Sequence, residues 1–342
     1  MTKRPDETHN SSRRDMLKAL GLGAIALGGS SLSQSTRLHA QSDRPEPNNV
    51  RNPWIYAFTI GDSEAWVISD GHFSFNQGLD MMYPKNERDE MKRTLEENYE
   101  PTDTIPIYVN ILVIRKDSEI VVFDAGFGSV DNPDMGWFRE GLATIGIHPS
   151  QVTAGFLSHA HGDHIDGFVN ADGKPLFPNA AIYTTPEEFS FWRQKDPDFS
   201  KSLRPPSWIP GMVRNAQEKF EILAPQIQTV SVGTQALSGL VTVEDGFGHT
   251  PGHSIFRIQS AGESLLHIVD LVHNHLLMFR DPAWSIALDH NPELAVSARR
   301  RVFAQATEER VRCFGFHVPW PGIGGIAARN KAYAWIPERL WW

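Results

Sequence analysis

With 342 residues, the chain is long enough for one large folding unit or two modest ones, and for a core that needs neither disulfides nor a structural metal. Hydrophobic residues make up 40% and charged residues 21%, an ordinary globular balance, while a formal net charge of -9 with no long basic run argues against a nucleic-acid partner. The single cysteine, Cys313, excludes a thiolate-ligated zinc cluster and an internal disulfide framework, and its apolar neighbours mark it as a buried thiol.

The first forty residues read separately. A polar, basic start ends in Ser12-Arg13-Arg14-Asp15-Met16-Leu17-Lys18 and gives way to a mildly apolar run over 19–29. That run is too short to span a membrane and fits the hydrophobic region of an export signal. The pattern resembles a bacterial twin-arginine signal, with Leu38-His39-Ala40 as its cleavage site. Residues 1–40 are therefore read as the signal and 41–53 as a polar linker or arm. The resemblance implies that the twin-arginine machinery exports the folded protein to the periplasm or beyond, with no permanent membrane span.

From 54 onward, two strands over 54–60 and 64–69 flank a turn at Gly61-Asp62, and Asp70-Gly71 closes the second. Residues 83–104 are charged and read as a helix and loop insertion. The clearest hairpin joins 107–114 to 119–123 and leaves Asp124 at a strand tip. A weak helix over 135–142 and a strand over 153–157 follow. Next come a strand at 180–184, a helix at 186–194 that starts with proline, and an ordered surface loop over 196–212. Short strands are expected at 228–232, 240–244, 254–258 and 264–269. An amphipathic helix over 291–309 is expected to bury Leu294, Val302 and Ala306 and expose Arg299, Arg300 and Arg301. A last strand over 311–316 ends at His317, and 338–342 reads as a C-terminal tail whose Leu340-Trp341-Trp342 needs a cover from the fold or a partner. Hairpins interrupted by a few helices suggest two sheets with helices outside them.

The chemistry concentrates at strand ends. His159-Ala160-His161-Gly162-Asp163-His164 offers four metal-capable side chains in six residues, more than a short loop can fold around one ion. His249, in Gly248-His249-Thr250-Pro251-Gly252-His253, can complete two four- to five-coordinate centres together with Asp270 and His317, with Asp270 placed to bridge.

In type, order and spacing, these motifs resemble the metallo-β-lactamase superfamily over about 54–337. The Asp270-Leu271-Val272-His273 run, the segment around His317 and the export signal resemble its methyl parathion hydrolase-like phosphotriesterases and lactonases. The resemblance implies an α+β fold, an αββα sandwich of two mixed sheets packed together with helices outside. It implies that His159, His161 and His249 hold one metal and that Asp163, His164 and His317 hold the other. Asp270 would bridge the two, His253 would be structural, and Asp124 would orient a ligating histidine. His273 stands where some lactonases of the superfamily carry a tyrosine that assists the oxyanion, and is read as a substrate-facing or loop-stabilising residue. A homodimer is also implied.

Such a centre generates hydroxide from water near neutrality, and a metal-bridging hydroxide would attack a carbonyl carbon or phosphorus, with Asp163, Asp270 and His273 as the catalytic set. Two divalent ions are expected, zinc first, with manganese, cobalt, nickel or iron as alternatives. Phe127, Trp137, Phe138, Trp192, Trp208 and Trp320 are candidates for an apolar substrate pocket. The expected substrate is a small, neutral, hydrophobic ester: a phosphotriester, aryl ester or lactone. The alternative is a quorum-signal lactonase with incidental phosphotriesterase activity, followed by a β-lactamase, an iron redox enzyme and a non-catalytic metal-binding protein.

Overall fold

The computed structural model describes residues 54–340 apart from Gln77 and 84–86. The expected export signal, the linker and the terminal tryptophan pair lie outside the described residues. Among those described, no helix is long and apolar enough to cross a membrane.

Two seven-stranded sheets form the frame. The first runs in chain order from β1 (Ile55–Ile60) through β2 (Ser63–Asn76), β3 (Thr104–Lys116), β4 (Glu119–Phe123), β5 (Ala154–Phe156) and β6 (Ala181–Thr184) to β7 (Ile227–Thr229). Its first four strands pair antiparallel and the rest parallel. The second sheet runs from β8 (Gln235–Ala236) through β9 (Val241–Asp245), β10 (Ser254–Ser260), β11 (Glu263–Val269), β12 (Arg312–Gly315) and β13 (Ile323–Arg329) to β14 (Ala332–Pro337). Only the β11–β12 pair in it is parallel. Both sheets are mixed, as expected.

Side-chain alternation sorts the first sheet into two cores. Leu112 and Ile114 of β3 face inward to the second sheet, while Ile111 and Val113 face outward to the helices. Burial on both faces explains why β3 reads as an unbroken apolar run. The outer helices of the first sheet include α3 (Phe138–Thr144), α5 (Pro186–Trp192) and α6 (Ile209–Leu223), and those of the second include α7 (His275–Arg280) and α8 (Pro292–Glu309). Three further helices, α1 (Gly78–Met82), α2 (Arg88–Glu97) and α4 (Gly162–Ile165), sit in connections.

Several expectations need correction. Strand β2 does not close at Asp70-Gly71 but runs on to Asn76 through an irregularity between Ser69 and Gly71. Gly71 sits at φ 112°, where an added Cβ would lie 2.0 Å from the Asp134 carbonyl oxygen, so only glycine carries the strand through. The loop over 196–212 ends early, because 209 onward belongs to α6, whose proline-rich entry hid its buried Ala216, Phe220 and Leu223. The strand expected over 228–232 is the three residues of β7. The hairpin of β13 and β14 was not anticipated.

In α8 the expected face holds for Val302 and Ala306, which are buried, and for Arg300 and Arg301, which are exposed, but is reversed at Leu294 and Arg299. Leu294 is 44% exposed, whereas Ala295, Ala298, Arg299, Val302, Phe303 and Ala306 form the buried stripe. Arg299 is fully buried, donates to the Leu271 and Pro282 carbonyls at 2.6 and 2.7 Å, and lies 3.5 Å from Asp289. A buried guanidinium held this way stabilises only while its partners stay, and breaking such a pair costs about 3–5 kcal/mol. Urea unfolding of Arg299→Ala is expected to show a loss of that size, and a loss below 1 kcal/mol would mean the pair contributes nothing net.

Candidate dinuclear metal centre

Each metal-capable side chain stands where a strand gives way to a loop. β5 ends two residues before Ser158, after which His159 and His161 project from extended chain, and α4 begins at Gly162, presenting Asp163 and His164 on its single turn. His249 follows β9, Asp270 follows β11 and His317 follows β12. Val269 adopts φ 45°, a conformation costly for a β-branched residue, directly before Asp270.

The structure brings all seven expected ligands together. His159, His161, His249 and Asp270 form one group of converging ligand atoms, and Asp163, His164 and His317 form a second. His161 Nδ1 lies 2.8 Å from His159 Nε2 and 2.9 Å from His249 Nε2. Asp270 stands between the groups, with Oδ2 3.2 Å from both His249 Nε2 and His317 Nε2, and Oδ1 3.3 Å from His164 Nε2.

The outward nitrogens decide what the inward ones offer. His249 Nδ1 donates to Asp289 at 2.9 Å, His164 Nδ1 to Asp124 at 2.9 Å, and His317 Nδ1 to the Tyr108 carbonyl at 2.6 Å. His159 Nδ1 meets the Ser158 hydroxyl at 2.9 Å, which in turn donates to Asp124. Each of these rings therefore turns an unprotonated Nε2 inward. His164 Nε2 and Asp270 Oδ1 are buried with no hydrogen-bond partner. Converging lone pairs, two carboxylates and orphaned buried acceptors fit two divalent cations, and a nitrogen and oxygen donor set without sulfur suits borderline to hard metals.

Burial lowers the basicity of His159 and His161 well below the ordinary histidine value. Burial acts on His164 too, but Asp270, Asp163 and Asp124 outweigh it and hold that ring's pKa well above the ordinary value. Burial would raise Asp270, yet the imidazoles of His164, His317, His273 and His159 keep its carboxyl far below the carboxylate range.

Two carboxylates that sequence reasoning missed organise the loops. Glu188 accepts from Ala160 N at 2.8 Å, Gly252 N at 3.0 Å, Thr250 Oγ1 at 2.5 Å and Trp192 Nε1 at 2.5 Å, clasping the loops that carry His161 and His249. In sequence it looks only like the third residue of a helix capped by Thr185. Asp289 orients His249 and receives Ser285 Oγ, and nothing in its local sequence signals either contact. The position of Asp124 was legible as a strand tip. His253 lies outside the ligand groups and braces them, with Nδ1 on the Gly246 carbonyl at 2.7 Å and Nε2 accepting from Asp270 N at 3.3 Å.

An apolar cavity of about 400 Å³ opens onto the cluster, reaching His161, Asp163, Asp270, His273 and His317. Of the six expected pocket aromatics, Phe127 and Trp208 line it. Trp192 does not: it is buried beneath His161, edge-on at 6.0 Å, on the inward face of α5. Phe138 points into the outer-helix core against Phe177, Trp137 packs on Trp54 and His72, and Trp320 packs against the inter-sheet core. Phe73, Phe75, Ile107, Met212 and Leu288 supply the walls instead. Arg204, 8% exposed, was also missed and joins the lining, with burial lowering its pKa to about 10. His273 Nε2 lies 3.1 Å from Asp270 Oδ2, and its ring stacks on His317 at 4.8 Å.

Comparison with known proteins follows the same lines. The family described as Metallo-beta-lactamase superfamily matches residues 104–315. No curated protein sequence matches the chain. Among solved structures, AidC, a dizinc quorum-quenching lactonase in complex with an N-hexanoyl-L-homoserine product, is 27% identical with a TM-score of 0.80, covering 84% of this chain and 98% of its own. The hydrolase AbOPH of the beta lactamase superfamily is 26% identical with a TM-score of 0.76, covering 85% of this chain and 99% of its own. A quorum-quenching N-acyl homoserine lactone lactonase at 17% identity and TM-score 0.53, covering 77% of this chain and 95% of its own, shares the fold.

Asp124→Asn removes the charge that fixes His164 and is expected to weaken metal binding by about 10- to 100-fold. Competition against a chromogenic chelator checks this, with one of two bound equivalents leaving first. Two equivalents held as tightly as in the parent protein would show that Asp124 does not act on the ligands.

Proposed function

The chain belongs to the metallo-β-lactamase superfamily and is a metal-dependent hydrolase; we propose that its substrates are lactones of the N-acyl homoserine class, with phosphotriesters and aryl esters turned over incidentally. The observation that carries this reading is the junction of the His/Asp cluster with an apolar cavity of about 400 Å³, sized for a short acyl chain and a small ring. The similarity at 27% identity to a lactonase bound to its ring-opened product supports the same class.

In this reading His159, His161 and His249 hold one cation, Asp163, His164 and His317 the other, and Asp270 stands between them, with zinc the metal expected. Bound there, two divalent cations would supply acidified water near neutral pH and positive charge for an oxygen that gains electrons during hydrolysis. Phe127, Trp208, Met212 and Leu288 exclude bulk water and receive the acyl chain. His273 faces both Asp270 and the cavity, and its Nε2 holds a proton within reach of an oxygen leaving the scissile bond.

The test compares initial rates of metal-quantified protein on an N-acyl homoserine lactone, an aryl ester, a dialkyl aryl phosphotriester and a β-lactam. The lactone should give the highest kcat/KM. Asp270→Ala should lower that value by about 1,000-fold or more, because several kcal/mol of charge stabilisation depend on the centre. Preference for the phosphotriester would overturn the lactonase reading, and no metal-dependent turnover of any of the four would remove esters as the substrate class.

We also infer from Ser12-Arg13-Arg14-Asp15-Met16-Leu17-Lys18 that the protein is exported, already folded and metallated, by the twin-arginine route. Exchange of Arg13 and Arg14 for lysine should leave the precursor in the cytoplasm on cell fractionation, and undiminished export would count against it.

A further inference from the structure

Two arginines are buried among the described residues, and they are treated differently. Arg299 has Asp289 at 3.5 Å and two backbone carbonyls within 2.7 Å. Arg204 has no paired carboxylate among the described residues. Its Nη1 reaches Met212 Sδ at 2.6 Å, its Nη2 reaches the Leu288 carbonyl at 2.5 Å and His161 Nε2 at 3.0 Å, and its Nε is buried with no partner. A guanidinium enclosed without a counter-charge is costly unless something else supplies acceptors. Arg204 lines the cavity beside the metal cluster, where a substrate can supply them.

The contact with His161 sharpens the point. His161 turns Nδ1 to the cluster, so a cation held there leaves the ring proton on Nε2, and Nε2 then faces Arg204 as a donor rather than an acceptor. One Nη2 hydrogen joins the Nε hydrogen in lacking a protein acceptor. The Nε hydrogen and the nearer Nη2 hydrogen form the side-on edge of the guanidinium, a fork shaped for carbonyl or carboxylate oxygen.

We propose that Arg204 is a specificity-determining residue of this site: the Nε/Nη2 edge takes the oxygen of an amide carbonyl beside the scissile lactone carbonyl, so that acyl-amide lactones are favoured over plain alkyl lactones. The proposal rests on the lactonase reading. A solely structural role, pinning the 196–208 loop to Leu288, would change stability and all substrates alike.

The experiment measures kcat and KM for N-hexanoyl homoserine lactone and for an alkyl γ-lactone of similar length lacking the amide. Parent protein, Arg204→Lys and Arg204→Met are compared, with metal content and thermal midpoint recorded for each. Calorimetric binding of ring-opened N-hexanoyl homoserine to the same proteins gives a readout independent of turnover. Arg204→Met should lose about 10- to 100-fold in kcat/KM on the amide lactone, mostly through KM, while staying within about twofold on the alkyl lactone. Arg204→Lys, which keeps the charge and loses the fork, should fall between, and affinity for the ring-opened compound should follow the same order. Equal losses on both lactones, or an unchanged ratio, would overturn the proposal. If the parent protein hydrolyses neither lactone, the lactonase reading fails, and the binding series still decides: equal affinity in parent and variants rejects a role for Arg204, while the graded loss supports it.

Discussion

The site depends on one constraint, that ring nitrogens buried away from water must present their lone pairs to one another. His159, His164, His249 and His317 can do this only because their outer nitrogens are engaged by Ser158, Asp124, Asp289 and the Tyr108 carbonyl. Asp163 and Asp270 bring carboxylates to the ligand groups themselves, while Asp124 and Asp289 hold His164 and His249 from outside. Asp270, Asp163 and Asp124 hold the pKa of His164 well above its ordinary value despite its burial. Metal ligation needs that ring's inward nitrogen free of a proton, which links affinity to pH: binding weakens in acid.

Holding such a cluster requires backbone the chain does not adopt freely. Val269 at φ 45° and Asp124 at φ 59° both lie in the left-handed region, next to Asp270 and at the pivot of His164. Strain of this kind, about 1–3 kcal/mol for each residue, persists where the surroundings over-determine it. Here Glu188 gathers three donors from the loops bearing His161 and His249 and a fourth from Trp192 on its own helix, and its burial raises its pKa against those same bonds. Such a carboxylate is tolerable only because it is fully engaged, so the loops cannot separate without leaving it unsatisfied.

The metal-facing residues were legible in sequence because their chemistry is local: imidazole and carboxylate at the ends of apolar runs have few other uses. Two sheets were legible for the same reason, since alternation and turns are properties of short windows. The aromatic pocket was not, because whether Trp192 or Trp208 reaches substrate depends on which face of a helix or loop turns inward. Charge misled at Arg299, where a position on the buried stripe of α8 outweighed the tendency of arginine to stay in water. Glu188 and Asp289 escaped notice because the contacts that tie them to the ligand loops span 28 to 64 and 40 residues.

The cavity wall has its own foundation, separate from the metal ligands. Asp70, carried inward where β2 is irregular, accepts from Phe127 N and Phe138 N, each at 2.8 Å, and so ties both ends of that loop to one carboxylate. Burial pushes its pKa up to about 7, against the bonds that favour its ionised form. Gly126 lets the loop pass so closely that an added Cβ would sit 2.2 Å from Asp70 Oδ2. The consequence is that Phe127 leans over the cavity while Phe138 packs into the core beneath the outer helices. Substrate fit can thus be altered from Asp70 without touching a ligand, because the carboxylate that shapes the wall and the carboxylates that hold the cations are different groups on different loops.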